Sequence, residues 1–192
     1  MAKAARLCRE SGSHPKKAQL LVEEAARIGL PRAEYALATW YLYGVGRRRD
    51  VKRATELFLS AANAGDAPAA YDLAVCYELG EGVSVDAKVA LSLYVRSAES
   101  GDRMGCSEAA RCYYFGIGTP VNRCLAAYWY RKAASQGDAE SQYFLSRMYF
   151  DGDGVRRSHR WARHWCQRAA DAGNNRAARL LARLDRIRPP TD

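Results

Sequence analysis

Residues 138–173 read DAESQYFLSRMYFDGDGVRRSHRWARHWCQRAADAG, and residues 102–137 read DRMGCSEAARCYYFGIGTPVNRCLAAYWYRKAASQG. Laid one over the other, the two stretches share Gly116/Gly152, Gly118/Gly154, Ala126/Ala162, Trp129/Trp165 and Gly137/Gly173 without a gap. The register extends backwards. A G-x-G triplet also begins at Gly44 and Gly80, and the lone glycine recurs at Gly29, Gly65 and Gly101. A fixed period of this length is the signature of a repeat array. The 192 residues therefore report a repeat number, and not the size of one core.

Each unit holds two helical patterns. Positions 54, 57, 58, 61 and 62 are apolar at the spacing of one helix face, as are 33, 37, 38 and 41. The columns Ala54/Ala90/Ala126/Ala162, Leu57/Leu93/Trp129/Trp165, Leu37/Leu73/Ala109/Leu145/Leu181 and Ala62/Ala98/Ala134/Ala170 are candidate core. Tyr41, Tyr77, Tyr113 and Tyr149 align as well. Asp50, Asp86, Asn122 and Ser158 stand at one helix start, and Asp66, Asp102, Asp138 and Asn174 at the other. All are side chains that accept a bond from an orphan helix N–H. The spacing predicts helix A over 31–43, 67–79, 103–115 and 139–151, and helix B over 51–64, 87–100, 123–136 and 159–172. The G-x-G is the turn between them, since a phosphate-cradling glycine loop needs a preceding strand. Residues 1–29 form a degenerate half-repeat cap in which Ala18, Leu21, Ala25, Ala26 and Gly29 fit helix B, while Cys8 and Glu10 replace the turn glycines. Full repeats are expected over 30–65, 66–101, 102–137 and 138–173. A capping helix over about 175–187 lies in the terminal stretch 174–192 and ends at Pro189-Pro190.

These columns resemble the Sel1-like repeat, a relative of the tetratricopeptide repeat, on Asp138, Leu145, Tyr149, Gly152, Gly154, Val155, Ala162, Trp165, Ala169, Ala170 and Gly173. The resemblance implies an all-α, right-handed α/α solenoid of 36-residue helix-turn-helix units. It also implies a non-catalytic adaptor that holds a protein or peptide. A cysteine-rich branch of that family carries a cysteine pair in fixed register in each repeat. Here only Cys76 and Cys112 share a register, so reduced thiols are expected.

By analogy with tetratricopeptide repeats, helix A lines a concave groove. Its outward positions are Tyr35 and Thr39, then Tyr71, Val75 and Glu78, then Arg111 and Tyr114. Tyr143, Arg147 and Phe150 follow, with Arg179 and Arg183 in the last helix. Arg111, Arg147 and Arg183 form one column. Guanidinium forks grip carboxylates in pairs of hydrogen bonds, so an acidic protein segment is the expected partner.

Charge narrows the choice. The chain carries 30 Lys+Arg against 21 Asp+Glu, a net +9. Residues 67–102 hold two basic and six acidic side chains (−4), against +5 for residues 1–66 and +8 for 103–192. An acidic repeat interrupts any continuous basic face, which argues against nucleic acid. The 48% hydrophobic and 27% charged content is that of a folded chain. No apolar run reaches the roughly 18 residues of a membrane span, and no secretory leader is visible, so a cytoplasmic monomer is expected. His14, His159 and His164 do not converge, and no nucleophile–base set is discernible; no catalysis, cofactor or metal is expected. Twenty-four arginines against six lysines suit a GC-rich bacterial source. The second reading is a secretion-linked effector or immunity-type protein using the same surface.

Overall fold

A computed structural model describes residues 15–186, with side chains over 18–184. Cys8, Glu10, His14 and Pro189-Pro190 lie outside the described residues. Ten helices run in order: α1 Pro15–Arg27, α2 Pro31–Tyr43, α3 Val51–Asn63, α4 Ala67–Leu79, α5 Ala87–Glu99, α6 Arg103–Phe115, α7 Arg123–Ser135, α8 Ala139–Asp151, α9 His159–Asp171 and α10 Asn175–Arg186. There is no strand among the described residues. The architecture is the expected all-α repeat: α1 to α4 pack successively in the first unit, and α6 to α10 in the second.

Helix A ends where the spacing places it, and helix B stops one residue sooner. Ala64 is already non-helical, at φ −82° and ψ 8°. It must lead into a left-handed Gly65 at φ 88°, and Asp66 N–H then closes back onto Ala61 O at 3.0 Å. That closure consumes the last turn of the helix.

The starts are held by the cap residues. Asp50 accepts from Arg53 N–H at 3.0 Å, Asp66 from Ala69 N–H at 3.0 Å and Asn122 from Leu125 N–H at 3.0 Å. Asp102 and Asp138 accept at 2.7 Å from Gly105 and Ser141. Each such cap is worth about 1 kcal/mol. The A-to-B loop is also pinned at its far end. The N–H groups of Asp50, Asp86, Asn122 and Ser158 donate to Tyr41, Tyr77, Tyr113 and Tyr149 carbonyls at 2.8–3.0 Å.

The described residues divide into two compact units, one ending at Leu93 and one starting at Tyr94, within α5. Phe58, Leu73, Ala38, Ala54, Ala74 and Cys76 fill the first core, each at most 2% exposed. Tyr94, Tyr130, Leu145, Met148, Cys106, Cys112 and Cys166 fill the second. Helices of 13 residues are marginal alone in water, and burial of these faces is what stabilises them. Roughly 1.5–3 kcal/mol accompanies each large apolar side chain buried.

Leu21 lies in a helix, as its helix-B register predicts. It shares the register of the buried Leu57 yet is 63% exposed. That column is buried by a neighbouring helix, and no described helix precedes α1 to cover it.

Cys76, Cys106, Cys112, Cys124 and Cys166 are unbridged, and only Cys124 is exposed. Burial pushes the Cys76 thiol up to about 12, helped by the Glu81 and Asp72 carboxylates, and burial also raises Cys106. The thiolate is the nucleophile. Iodoacetamide at pH 8 is therefore expected to alkylate Cys124 in the folded chain. Cys76, Cys106, Cys112 and Cys166 should react only after denaturant is added. Peptide mapping by mass spectrometry reads this directly, and prompt labelling of Cys76 in the native chain would refute the packing.

Candidate functional site

The helix-A positions singled out above divide between the two units. In the first, Tyr35 on α2 is half-buried with its ring 5.9 Å from that of Phe58. Burial raises its hydroxyl pKa, and the carboxylates of Asp72 and Asp66 raise it further. Thr39 is half-buried, and its hydroxyl donates to the Tyr35 carbonyl at 2.9 Å, within its own helix. Tyr71, Val75 and Glu78 on α4 are half-buried. Of these, Val75 lines a depression of about 380 Å³ with Leu42, Cys76, Asp72, Arg49 and Glu81. The Arg49 guanidinium stands 3.7 Å from Glu81 across it.

In the second unit the arginine column takes three different states. Arg111 on α6 is half-buried and bound to Glu108 one turn away, at 2.5 Å. Arg147 on α8 is exposed. Arg183 on α10 is exposed with its guanidinium 6.0 Å from the centre of the Phe150 ring. Arg179 is exposed as well. Tyr143 is half-buried, edge-on to Phe144 at 5.6 Å, with Arg176 over its other side at 5.0 Å. Arg176 also pairs with Glu140.

Tyr114 is packed and not presented. Its ring meets Phe115 at 4.9 Å, Phe144 at 5.7 Å and Tyr130 at 6.2 Å, while Arg123 covers it at 3.8 Å. Arg123 in turn donates to the Tyr114 carbonyl at 2.6 Å and stands 3.3 Å from Asp153. Tyr130 and Phe144 are stacked within 6° at 5.2 Å. The structure thus brings Tyr143, Arg147, Phe150, Arg179 and Arg183 onto α8 and α10 as basic and aromatic surface. Tyr114 belongs to a cluster beneath.

Sequence reasoning missed the acidic partners. Glu108 lies three residues before Arg111, a spacing that pairs charges on a helix and could have been read in advance. The Arg176–Glu140 pair spans one whole repeat, and only the packing of α8 against α10 reveals it.

Among the described residues no group of three His, Cys, Asp or Glu side chains could hold a metal ion. His159 lies edge-on to Phe150 at 5.5 Å, and His164 lies between Trp161 and Trp165 at 5.4 and 5.0 Å. No described helix is long and apolar enough to cross a membrane.

The family model for the Sel1 repeat matches residues 31–66, 67–102, 103–138 and 139–174. No curated protein matches the sequence. Among solved structures, a Sel1 repeat protein from Oxalobacter formigenes is similar with a TM-score of 0.84 and 34% identity, over 96% of this chain and 55% of its own. A protective antigen of uropathogenic Escherichia coli, displaying an SLR fold, gives 0.88 and 30% over 94% of this chain and 39% of its own. The chain therefore spans about half the length of these relatives or less. An immunity protein of Pseudomonas aeruginosa gives 0.52 and 20% over 93% of this chain and 69% of its own. That last likeness is one of fold alone.

Proposed function

Because the chain belongs to the Sel1 repeat family, we propose that it is a non-catalytic adaptor that grips an acidic protein segment on the helix-A surface of its C-terminal repeats. One observation carries this reading. Arg147, Arg179 and Arg183 are exposed, and the Arg183 guanidinium lies 6.0 Å from the half-buried ring of Phe150. Guanidiniums beside aromatic faces offer bidentate recognition of carboxylates together with apolar contact area.

Arg111 joins this surface less directly than its register suggests, since Glu108 holds its fork. Tyr35, Thr39, Tyr71, Val75 and Glu78 would contribute shape and polar contacts in the first unit rather than positive charge. Tyr114 would support the surface from below. The likeness to the immunity protein carries no partner, so nothing favours the effector or immunity reading over the adaptor one. We take the working form to be a monomer without cofactor.

Peptide-display selection against the full chain tests the proposal. Segments rich in Asp and Glu are expected to be enriched. The double reversal Arg147→Glu with Arg183→Glu, both exposed and so compatible with folding, should weaken their binding at least about tenfold. Enrichment of basic or neutral segments, or binding that survives the reversal, would overturn it.

A further inference from the structure

A second surface, with no residue in common with the helix-A set, is built by the loop that opens the last helix B. An open depression of about 700 Å³ is lined by Arg131, Tyr149, Val155, Arg156, Arg157 and Trp161, with Gly154 and Ser158 at its floor. Arg131 lies on α7, Tyr149 on α8 and Trp161 on α9, so the loop 152–158 is framed by three helices of one unit. Trp161 is 47% exposed, whereas Trp165 of the same repeat is buried, and Trp161 is stacked on Tyr149 at 6.2 Å with 29° between the rings. Arg131 donates to the Tyr149 hydroxyl at 3.1 Å. Arg157 has its guanidinium 5.9 Å from the Phe150 ring. None of the three arginines is in an ion pair with a described residue.

The repeat register supplies an internal comparison. The same loop in the first repeat is lined by Tyr41, Arg47, Arg48, Arg49 and Asp50. There Arg47 lies over Tyr41 at 4.6 Å and is paired with Glu23 at 2.5 Å, and Arg49 faces Glu81. Two of those three guanidiniums are thus answered by carboxylates of the fold. In the last repeat the position of Glu23 is taken by Arg131, that of Asp50 by Ser158 and that of Arg53 by Trp161. Two carboxylates have gone, Val155 stands where the first repeat has Arg47, the third guanidinium now comes from Arg131 on α7, and an exposed indole has appeared. The loops of the two middle repeats have Val83-Ser84-Val85 and Thr119-Pro120-Val121, with Leu59 and Val95 at the Arg131 register and no cation among them. Three unpaired guanidiniums around a shallow bowl are costly by mutual repulsion and are stabilised by a dianion. The planar fork matches phosphoryl oxygens in pairs, and an indole face offers a stacking platform to a flat ring.

We propose that this loop of the last repeat is a binding site for a phosphoryl group carried on a flat aromatic body. Arg131, Arg156 and Arg157 take the phosphoryl oxygens, and Trp161, backed by Tyr149, stacks on the ring. The same chemistry occurs in a nucleotide and in a phosphotyrosine side chain. The site stands independently of the acidic-segment reading, because Arg147 and Arg183 play no part in it.

Isothermal titration calorimetry of the full chain at low salt, where exposed charges are least screened, tests it with AMP, phenyl phosphate, inorganic phosphate and adenosine. AMP or phenyl phosphate is expected to bind at least about tenfold more tightly than inorganic phosphate or adenosine, and whichever is tighter identifies the source. Arg156→Glu with Arg157→Glu should abolish the heat. Trp161→Ala should bring the aromatic phosphate down to the level of inorganic phosphate, and Arg147→Glu with Arg183→Glu, which is aimed at the other surface, should leave the phosphate preference in place. Circular dichroism melts confirm that each variant is folded. The proposal is overturned if neither aromatic phosphate exceeds inorganic phosphate, if binding survives the loss of Arg156 and Arg157, or if the preference for the aromatic phosphate over inorganic phosphate survives the loss of Trp161, each in folded chains.

Discussion

Gly82→Ala is expected to destabilise the chain by about 2–5 kcal/mol, whereas Gly65→Ala costs only about 1–2 kcal/mol, although both glycines are left-handed. Gly82 has φ +73° and Gly65 φ +88°, so each substitution forces an L-residue into a conformation where its Cβ crowds the following carbonyl. Around Gly65 nothing lies within 4 Å of an added Cβ, and the conformational cost is the whole of it. At Gly82 the added carbon would sit 2.8 Å from the Val51 carbonyl oxygen and 3.0 Å from its carbon. Those atoms are backbone at the start of α3 and cannot rotate away. The second glycine of the triplet is thus a contact between successive repeats as much as a turn. Urea unfolding followed by circular dichroism measures both variants. Equal losses would show that the contact with Val51 contributes nothing.

The second large effect lies inside a helix. Gly105→Ala would raise helix propensity by about 1 kcal/mol on an exposed surface, yet here it is expected to destabilise by roughly 1–3 kcal/mol. An added Cβ would meet the Ser97 hydroxyl at 2.6 Å, the Ala98 N at 2.7 Å and the Ser97 Cβ at 2.7 Å. Gly105 and Ser97 are both buried. The repeat register explains the pairing. The positions equivalent to Gly105 are Ala33, Ala69, Ser141 and Ala177, and those equivalent to Ser97 are Ala61, Ala133 and Ala169. Where helix B carries the larger serine, the following helix A gives up its Cβ. Ser97→Ala with Gly105→Ala installs the Ala/Ala combination of Ala61/Ala69 and Ala169/Ala177. It is expected to recover only the part of the loss due to the Ser97 hydroxyl, less about 1 kcal/mol for its bond to Asp102 at 3.2 Å, since Ala98 N and the residue-97 Cβ still stand 2.7 Å from the added carbon. A double-mutant cycle on unfolding free energies reads the coupling. Simple additivity of the two losses would rule out the proposed compensation.

Much of this fold was legible beforehand because a repeat states its rules several times over. The G-x-G and lone-glycine columns gave the turns, and the Asp, Asn and Ser column gave the helix starts. Cap bonds and left-handed φ values now supply the reason for both. The alanine columns were legible as core because only a methyl-sized side chain suits the contact between closely packed helices. Leu21 keeps the helix-B register that its spacing predicts without sharing the burial of Leu57, because register reports an environment only where a neighbouring helix exists to provide it.

The candidate surface was less legible. Register placed Arg111, Arg147 and Arg183 in one column, but a column records position and not charge state or partnership. Glu108 engages Arg111, Arg183 flanks Phe150, and Arg147 is exposed. Tyr114 was assigned outward by its position on helix A. Phe144 and Tyr130 draw its ring into a cluster, since three aromatic faces gain more by meeting one another than by meeting water. Thr39 satisfied itself on its own backbone, an outcome that spacing cannot show.

The linear sequence by itself determined the period, the helix boundaries, the caps and the family, because each depends on local backbone chemistry repeated in register. Only the tertiary structure decided which of the many arginines are already answered by carboxylates. It also decided which glycines are contacts, and where three guanidiniums and an exposed indole converge around one loop. Those properties depend on distances between residues from different helices, and a repeating sequence leaves such distances to the packing.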